Sequence, residues 1–372
     1  MSAQTMLEVF EKPMPEIKKP LSDEQFLAMS ESFSDTPIGN KHLGFEMRYP
    51  KEWPESNNVS LGALVIDDKI FSNIAEFKGP VSLRGYRHEL NVLVKKIDYQ
   101  MTAKHWFMKY ILETGYNVMG VKVYDERRID ALYVYVNNGE SYVVRSAIQI
   151  NKDDLIFVQY TVPANDYKEV QALQEKVIDS FKLLYPVDEL IEKFQTHRIL
   201  DIATLKYPDS WEFSTVPIKS IDRAIAEMKR TTSVLRHSRR GNKSISSLAG
   251  SIGFELISVF ASDDIDAEIE RFQDDLAASG LFIDDKIGDS ADFLSFGTDM
   301  KLESHVYKLI DKHSDVEAFE FWITVTASGD YFYYTTLLTP SRETRFLEWA
   351  RNTQMYRLAV QNFVPIKRNA KN

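Results

Sequence analysis

Apolar and polar residues alternate along most of the chain, and this period of two predicts β-strands. In the first half the alternating runs cover residues 44–50, 88–98, 117–129, 131–150 and 154–163. Asn138 and Gly139 interrupt the longest run, and this pair is typical of a two-residue hairpin turn. Residues 102–114 and 165–184 repeat apolar positions every three or four residues, which predicts amphipathic helices.

The second half repeats this order of elements. Strands are predicted at 203–213, 253–262, 304–312, 317–330 and 331–340, and helices at 263–280 and 342–364. An extra amphipathic helix is expected at 218–235, from the spacing of Ile218, Ile221, Ile225, Met228 and Leu235. A repeat of about half the chain predicts two globular domains that arose by duplication, since solenoid repeats are far shorter.

A short sequence motif, which we call the repeated phrase, occurs once in each half. Residues 47–53 read MRYPKEW and residues 205–211 read LKYPDSW, so both copies have the pattern apolar, basic, Tyr, Pro, two variable residues and Trp. Proline removes a donor from the strand ladder and therefore predicts the end of the strand. We expect Trp53 and Trp211 to fold back over the sheet in a packing role.

This phrase, followed by antiparallel strands, a proline and a long closing helix, resembles the PsbP-like superfamily. That group includes the photosystem protein PsbP, Ran-binding nuclear-import factors and Eag-type secretion chaperones. The resemblance implies an α+β fold of two tandem α/β/α sandwich domains, each an antiparallel sheet flanked by helices. It also implies a role in protein binding, because members of the group are seldom enzymes.

Domain boundaries follow from where the repeated pattern starts and stops. We expect an extended N-terminal arm at 1–39, domains at 40–185 and 198–366, a linker at 186–197 and a basic tail at 367–372. The arm is rich in proline and has little periodicity. Its residues Met6, Leu7, Val9 and Phe10 form a small apolar anchor of the kind that docks in a partner's groove.

Composition limits the classes of function. The chain has 372 residues, 44% of them hydrophobic, and a formal net charge of −10, which argues against general binding to nucleic acid or to an anionic membrane. It has no cysteine, so disulfides and thiolate metal sites are excluded. No apolar run is long enough to cross a membrane and the N-terminus does not resemble a secretory signal, so we expect a cytoplasmic protein.

Motifs that carry catalytic or cofactor chemistry are missing from the sequence. There is no phosphate-binding glycine loop, no dinucleotide fingerprint and no nucleophile elbow. The seven histidines show no spacing typical of metal ligands. We therefore expect no catalytic, cofactor-binding or metal-binding residues, no cofactor and no enzymatic activity.

One basic segment offers a candidate binding site. Residues 229–243 hold six Lys or Arg and no acid, within an acidic protein. The candidate partner-binding residues are Arg236, Arg239, Arg240 and Lys243, in a loop that could dock an acidic partner or a phosphate. The alternatives are a solvated loop, or a loop that faces the chain's own acidic segment at 263–292.

Three functions remain open at the level of the sequence. The first is a non-catalytic adaptor, assembly factor or chaperone with a protein partner, for example one that serves a bacterial secretion or conjugation machine. The second is a structural subunit of a large assembly. The third is a small-ligand binder or enzyme that uses the cleft between the domains.

Overall fold

The computed structural model describes residues 8–56, 71–81, 85–216, 222–238, 241–288, 301–311 and 318–366, and for 233–247 and 301–302 it describes the backbone alone. The chain divides into two compact units, Met1–Ile191 and Glu192–Asn372. Both units combine antiparallel sheets with flanking helices, so the predicted α+β class is confirmed.

The first unit contains two antiparallel sheets. A six-stranded sheet has the order β3-β4-β8-β7-β6-β5, and a three-stranded sheet has the order β1-β2-β9. The strands are β1 (Ser30–Asp35), β2 (Phe45–Pro50), β3 (Ser72–Val81), β4 (Arg87–Lys96), β5 (Asn117–Val123), β6 (Arg128–Asn137), β7 (Glu140–Asn151), β8 (Asp154–Pro163) and β9 (Lys182–Leu183), and the helices are α1 (Asp23–Met29), α2 (Ala103–Thr114) and α3 (Tyr167–Asp179).

Local sequence signals account for the ends of these elements. The side chain of Thr102 accepts a hydrogen bond from the backbone N–H of His105 and begins α2, and Gly115 ends it in the left-handed region at φ 71°. Asn138 and Gly139 both have positive φ, 51° and 79°, as the tight turn between β6 and β7 requires.

The second unit has a seven-stranded antiparallel sheet of order β12-β13-β14-β18-β17-β16-β15 and a three-stranded sheet of order β10-β11-β19. The strands are β10 (Phe194–Ile199), β11 (Ala203–Pro208), β12 (Glu212–Thr215), β13 (Arg223–Ser238), β14 (Gly241–Ser258), β15 (Leu281–Gly288), β16 (Lys301–Asp311), β17 (Phe319–Ser328), β18 (Tyr331–Pro340) and β19 (Val364–Pro365), and the helices are α4 (Ile265–Ala278) and α5 (Phe346–Asn362).

The two units share one topology. If β12 is set aside, each strand of the second large sheet takes the place of a strand of the first, and the small sheets correspond in the same way. The edge strands even share a register shift, which lies between Val118 and Gly120 in β5 and between Ile283 and Asp285 in β15. Register shifts of this kind are structural features and not defects, so the shared shift supports an internal duplication.

The repeated phrase occupies the same place in both units. Tyr49 on β2 donates a hydrogen bond of 2.9 Å to the Glu31 carboxylate on β1, and Tyr207 on β11 donates one of 2.9 Å to the Gln195 amide oxygen on β10. Trp53 and Trp211 are 8% and 6% exposed. Trp53 packs edge-to-face on Tyr160, and the Arg230 guanidinium lies 5.8 Å from the Trp211 ring. The two tryptophans therefore have the expected packing role.

Residues 8–39 of the predicted N-terminal arm belong to the folded first unit, which differs from the extended arm expected at 1–39. Strand β1 pairs with β2 along its whole length, and Phe26 of α1 belongs to the buried core. The small sheet of the second unit likewise starts with β10, most of which lies in the predicted linker at 186–197. Both errors have one cause: these strands are short and polar, so their sequences show little apolar alternation.

The extra helix expected at 218–235 is also wrong, because the described part of this segment is strand β13. Ala224, Ala226 and Met228 are buried at every second position, while Ile225 between them is exposed. The helical spacing of isoleucines was a coincidence in a run that is also rich in β-branched residues. Tertiary pairing with β14 decides its conformation.

Candidate protein-docking surface

The hairpin of β13 and β14 extends beyond the sheet that carries it. Strand β18 pairs with β14 only over Ser251–Ser258, and β12 pairs with β13 only up to Lys229. Beyond a bulge after Arg230, residues Thr231–Ser238 pair only with Gly241–Leu248. We call these two segments the ribbon. At about 3.3 Å per residue, eight residues give it a length of roughly 26 Å.

Register places the ribbon's residues on its two faces. In the backbone register Arg236 stands opposite Lys243, and two positions further along the strand Val234 stands opposite Ile245. No acidic residue occurs between Met228 and Phe254. The backbone register therefore sets an apolar pair beside a basic pair, in a segment whose sequence carries no acid.

Both long edges of the ribbon are open within the described residues, since neither of its strands has a second neighbour there. An isolated two-stranded hairpin is at most marginally stable in water, and an open edge presents unpaired N–H and C=O groups. The corresponding hairpin of the first unit has no such extension, because its last pair, Val81 with Arg87, is followed by a short loop. The ribbon is thus an addition specific to the second unit.

The eight predicted partner-binding residues have different outcomes. Arg236 and Lys243 lie opposite each other on the ribbon, near its tip. Arg239 and Arg240, like Met6 and Leu7, lie outside the described residues. Val9 is partly buried and Phe10 is 3% exposed, with its ring 6.1 Å from that of Phe107 in α2. Phe10 is therefore an anchor for its own unit, which corrects its prediction as a partner-binding residue.

The described residues also bear on metal, ligand and membrane binding. They contain no group of three or more His, Asp or Glu side chains that could hold a metal ion. Two open cavities of about 440 and 600 Å³ lie in the first unit, one lined by Arg48, Lys176 and Asp179 and the other by Arg127 and Asn151, among others. No helix among these residues is long and apolar enough to span a membrane.

One buried carboxyl stands out by its pKa. Burial raises the pKa of Asp130 on β6 to about 6, against the opposing effects of the Arg128 guanidinium and the Tyr124 hydroxyl. The Tyr124 hydroxyl donates a hydrogen bond of 2.8 Å to Asp130. A shifted carboxyl can serve in acid–base catalysis, but these two neighbours stabilise its charge and neither is a nucleophile activated by a base.

Comparisons with known proteins found no matching family model and no matching curated protein. The chain is similar to the solution structure of cyanobacterial PsbP (CyanoP) from Synechocystis sp. PCC 6803, with 20% identity over 42% of this chain and 93% of that one, and a TM-score of 0.31. The Saccharomyces cerevisiae Ran-binding protein Mog1p matches with 10% identity over 42% of this chain and 96% of its own, at a TM-score of 0.29.

A third similar structure is the immunity protein TplEi of T6SS from Pseudomonas aeruginosa. It matches with 8% identity over 90% of this chain and 95% of its own, at a TM-score of 0.19. The first two are a PsbP protein and a Ran-binding protein, the kinds of protein named above for the PsbP-like resemblance. Each match spans less than half of this chain. At these identities and TM-scores, none of the likenesses indicates what this chain binds.

Proposed function

We propose that the protein is a non-catalytic binding protein that docks an acidic partner protein through the ribbon. The observation that carries this proposal is the ribbon itself, a basic β-hairpin whose outer part is paired only within itself. Its open edges offer backbone hydrogen bonds to a partner strand, and its basic pair would be stabilised by facing carboxylates. An adaptor, an assembly factor and a chaperone all fit this description.

The absence of a reactive constellation in the sequence motivates the non-catalytic part of the proposal. Catalysis requires a nucleophile, an acid–base pair or a metal in a shaped site. Binding through the ribbon requires only charge, apolar residues and backbone edges; the sequence of the ribbon supplies the first two, and its open strands supply the third. The proposal also implies that the affinity for the partner falls as salt is raised. Exposed charges that attract a partner are screened within about 8–10 Å at physiological ionic strength.

Shortening the ribbon tests the proposal. In the variant, Asn-Gly replaces residues 233–246, so that Thr232 and Ser247 flank a two-residue turn like the one between β6 and β7. We expect affinity purification from the source organism to recover a discrete partner with the full chain and to lose it with the shortened chain. We expect the charge reversal Arg239→Glu with Arg240→Glu to weaken the same interaction about tenfold or more at low salt.

The matched control is Arg198→Glu, which reverses an exposed arginine on β10 away from the ribbon. Circular dichroism and thermal unfolding of each variant establish that the units remain folded. The proposal is wrong if the shortened chain retains the same partner at the same affinity, or if the purified full chain turns over a substrate.

A further inference from the structure

The outer edge of the first unit's large sheet is covered by the chain's own N-terminal segment. The backbone oxygen of Lys12 accepts a hydrogen bond of 2.8 Å from the Val121 N–H of β5. Phe10 packs against Phe107 of α2 in an edge-to-face contact. The segment of residues 8–15 therefore closes this edge with one aromatic anchor and a backbone hydrogen bond.

The second unit has the same edge without such a cover. Strand β15 is the last strand of its sheet, and no described residue pairs with its outer side. Phe107 and Phe272 each lie eight residues before the glycine that follows their helix, Gly115 or Gly280. Phe107 is completely buried, whereas Phe272 is only partly buried. Phe107 is thus covered by Phe10 in the first unit, whereas the Phe272 ring stays partly exposed with the Arg271 guanidinium 4.2 Å from its centroid.

Apolar side chains are exposed on β15 and its neighbour. Phe282 and Ile310 stand opposite each other and are 41% and 52% exposed, and Ile287 is 43% exposed. Leu281 and Ile283 point to the other face, where they pack with α4. An added strand would contact both faces, because successive side chains of a strand alternate between the faces of a sheet.

The chain immediately before the second unit is engaged elsewhere. The backbone N–H of Val187 donates a hydrogen bond of 2.7 Å to Asn151, and that of Ile191 donates one of 3.0 Å to Gln100, both within the first unit. Only Glu192 and Lys193 then remain before β10 starts at Phe194. The second unit therefore has no leading segment equivalent to residues 8–15.

Charge indicates what kind of segment would fit. In the first unit, Lys104 of α2 forms an ion pair with Glu11 of the covering segment. In the second unit, exposed carboxylates predominate on α4 and β15 instead, at Asp266, Glu270, Asp274, Asp284 and Asp285, with the exposed Lys286 among them. A segment that covers this edge must therefore be basic where residues 8–15 are acidic.

The position of Gly120 supports the same conclusion. A Cβ atom there would lie 2.7 Å from the Pro13 backbone oxygen, so the covering segment crosses β5 where no side chain stands. Gly120 follows Gly115 by five residues, and Asp285 follows Gly280 by five. The second edge thus has a carboxylate, opposite Lys308 of β16, where the first has bare backbone, and the excess of carboxylates along this edge favours a cationic side chain in the crossing segment.

We propose that the β15 edge binds an extended basic segment of a partner protein, with one aromatic anchor directed toward Phe272 and backbone hydrogen bonds to β15. The mode is strand addition at an open sheet edge. This surface is separate from the ribbon, so the proposal for the β15 edge can be right or wrong independently of the function proposed above.

Two peptides probe the proposal with the full chain. One has the sequence of residues 8–16, EVFEKPMPE, and the other has lysine in place of each glutamate, KVFKKPMPK. We expect the basic peptide to bind saturably, to weaken as salt is raised, and to slow amide hydrogen exchange in residues 281–288. We expect Asp284→Lys with Asp285→Lys to weaken this binding about tenfold or more.

The matched control is Asp209→Lys with Glu212→Lys, which reverses two exposed carboxylates at the opposite edge of the sheet and should leave peptide binding unchanged. A basic peptide with alanine in place of phenylalanine should bind more weakly, because it lacks the anchor. Three results would overturn the proposal: no saturable binding of the basic peptide up to millimolar concentration, equal binding of the acidic peptide, or binding that survives the reversal on β15.

Discussion

At the scale of single residues, Glu320 is a buried carboxylate of the second unit that accepts many hydrogen bonds. It is 2% exposed and accepts hydrogen bonds from the side chain and backbone N–H of Arg342 and from the indole N–H groups of Trp322 and Trp349. It thereby joins β17 to the start of α5. A carboxylate with this many donors stabilises the fold through charge-assisted hydrogen bonds.

We expect Glu320→Ala to lower the free energy of unfolding of the second unit by about 3–5 kcal/mol, because it leaves an arginine and two indole groups without their acceptor. Denaturant unfolding followed by tryptophan fluorescence measures this loss. Glu343→Ala, at an exposed glutamate one residue after Arg342, should change stability by less than about 0.5 kcal/mol. Equal effects of the two substitutions would show that the network contributes nothing.

Asp130 makes the stability of the first unit depend on pH. Its pKa is raised from 3.8 to about 6 in the folded state, so between these pH values the folded chain keeps a proton that the unfolded chain has lost. The contribution of this group to the free energy of unfolding therefore falls as pH rises through this window, and the loss is complete above about pH 6.

We expect Asp130→Asn to raise the stability of the first unit at pH 7 by about 1–3 kcal/mol, because the neutral amide avoids the cost of burying a charge. The gain should shrink as pH falls toward 4, where the wild-type carboxyl is itself protonated. Thermal unfolding at pH 4.5, 6 and 7.5 measures it. Asp98→Asn, at an exposed aspartate, is the control. A variant less stable than the wild type at pH 7 would refute the prediction.

At the scale of elements, the covering of β5 by residues 8–15 depends on Gly120. A Cβ atom at this position would lie 2.7 Å from the Pro13 oxygen and 2.8 Å from the Met14 Cα, and both are backbone atoms that cannot move aside alone. We expect Gly120→Ala to displace the segment and to cost about 1–3 kcal/mol in the first unit. Hydrogen exchange and limited proteolysis of residues 8–15 measure the displacement.

Gly288, which has no atom within 4 Å of an added Cβ, provides the matched substitution Gly288→Ala on the equivalent edge strand. It should leave stability and protease resistance unchanged. If Gly120→Ala leaves residues 8–15 as protected as in the wild type, the close crossing is not what holds the segment.

At the scale of the whole molecule, two units with one topology have diverged at particular places. The first unit covers its β5 edge with its own N-terminal segment and ends its β3–β4 hairpin early. The second unit leaves the equivalent edge uncovered within the described residues and extends the equivalent hairpin into the ribbon. Open strand edges are usually protected in natural proteins, which is why the ribbon and the β15 edge are the two surfaces proposed to bind partners.

The sequence by itself determined the duplication and most of the strands and helices. The Tyr-Pro phrase, the hairpin at Asn138–Gly139 and the helix-ending Gly115 and Gly280 are local signals, and local backbone preferences are enough to place them. The basic charge of the segment around Arg236 and Lys243 was likewise evident, because charge requires no fold to be counted.

Only the tertiary structure decided the form and setting of the proposed binding surfaces. β13 had the apolar spacing of a helix, and its pairing with β14 made it a strand that runs past the sheet. Phe10 was predicted to anchor a partner. It packs instead within the first unit against Phe107, which is distant from it in sequence. β1 and β10 are too polar to be recognised from their patterns, and they exist because β2 and β11 offer them hydrogen-bonding edges. In each case the deciding contacts join residues far apart in sequence, and a local sequence pattern cannot predict such contacts.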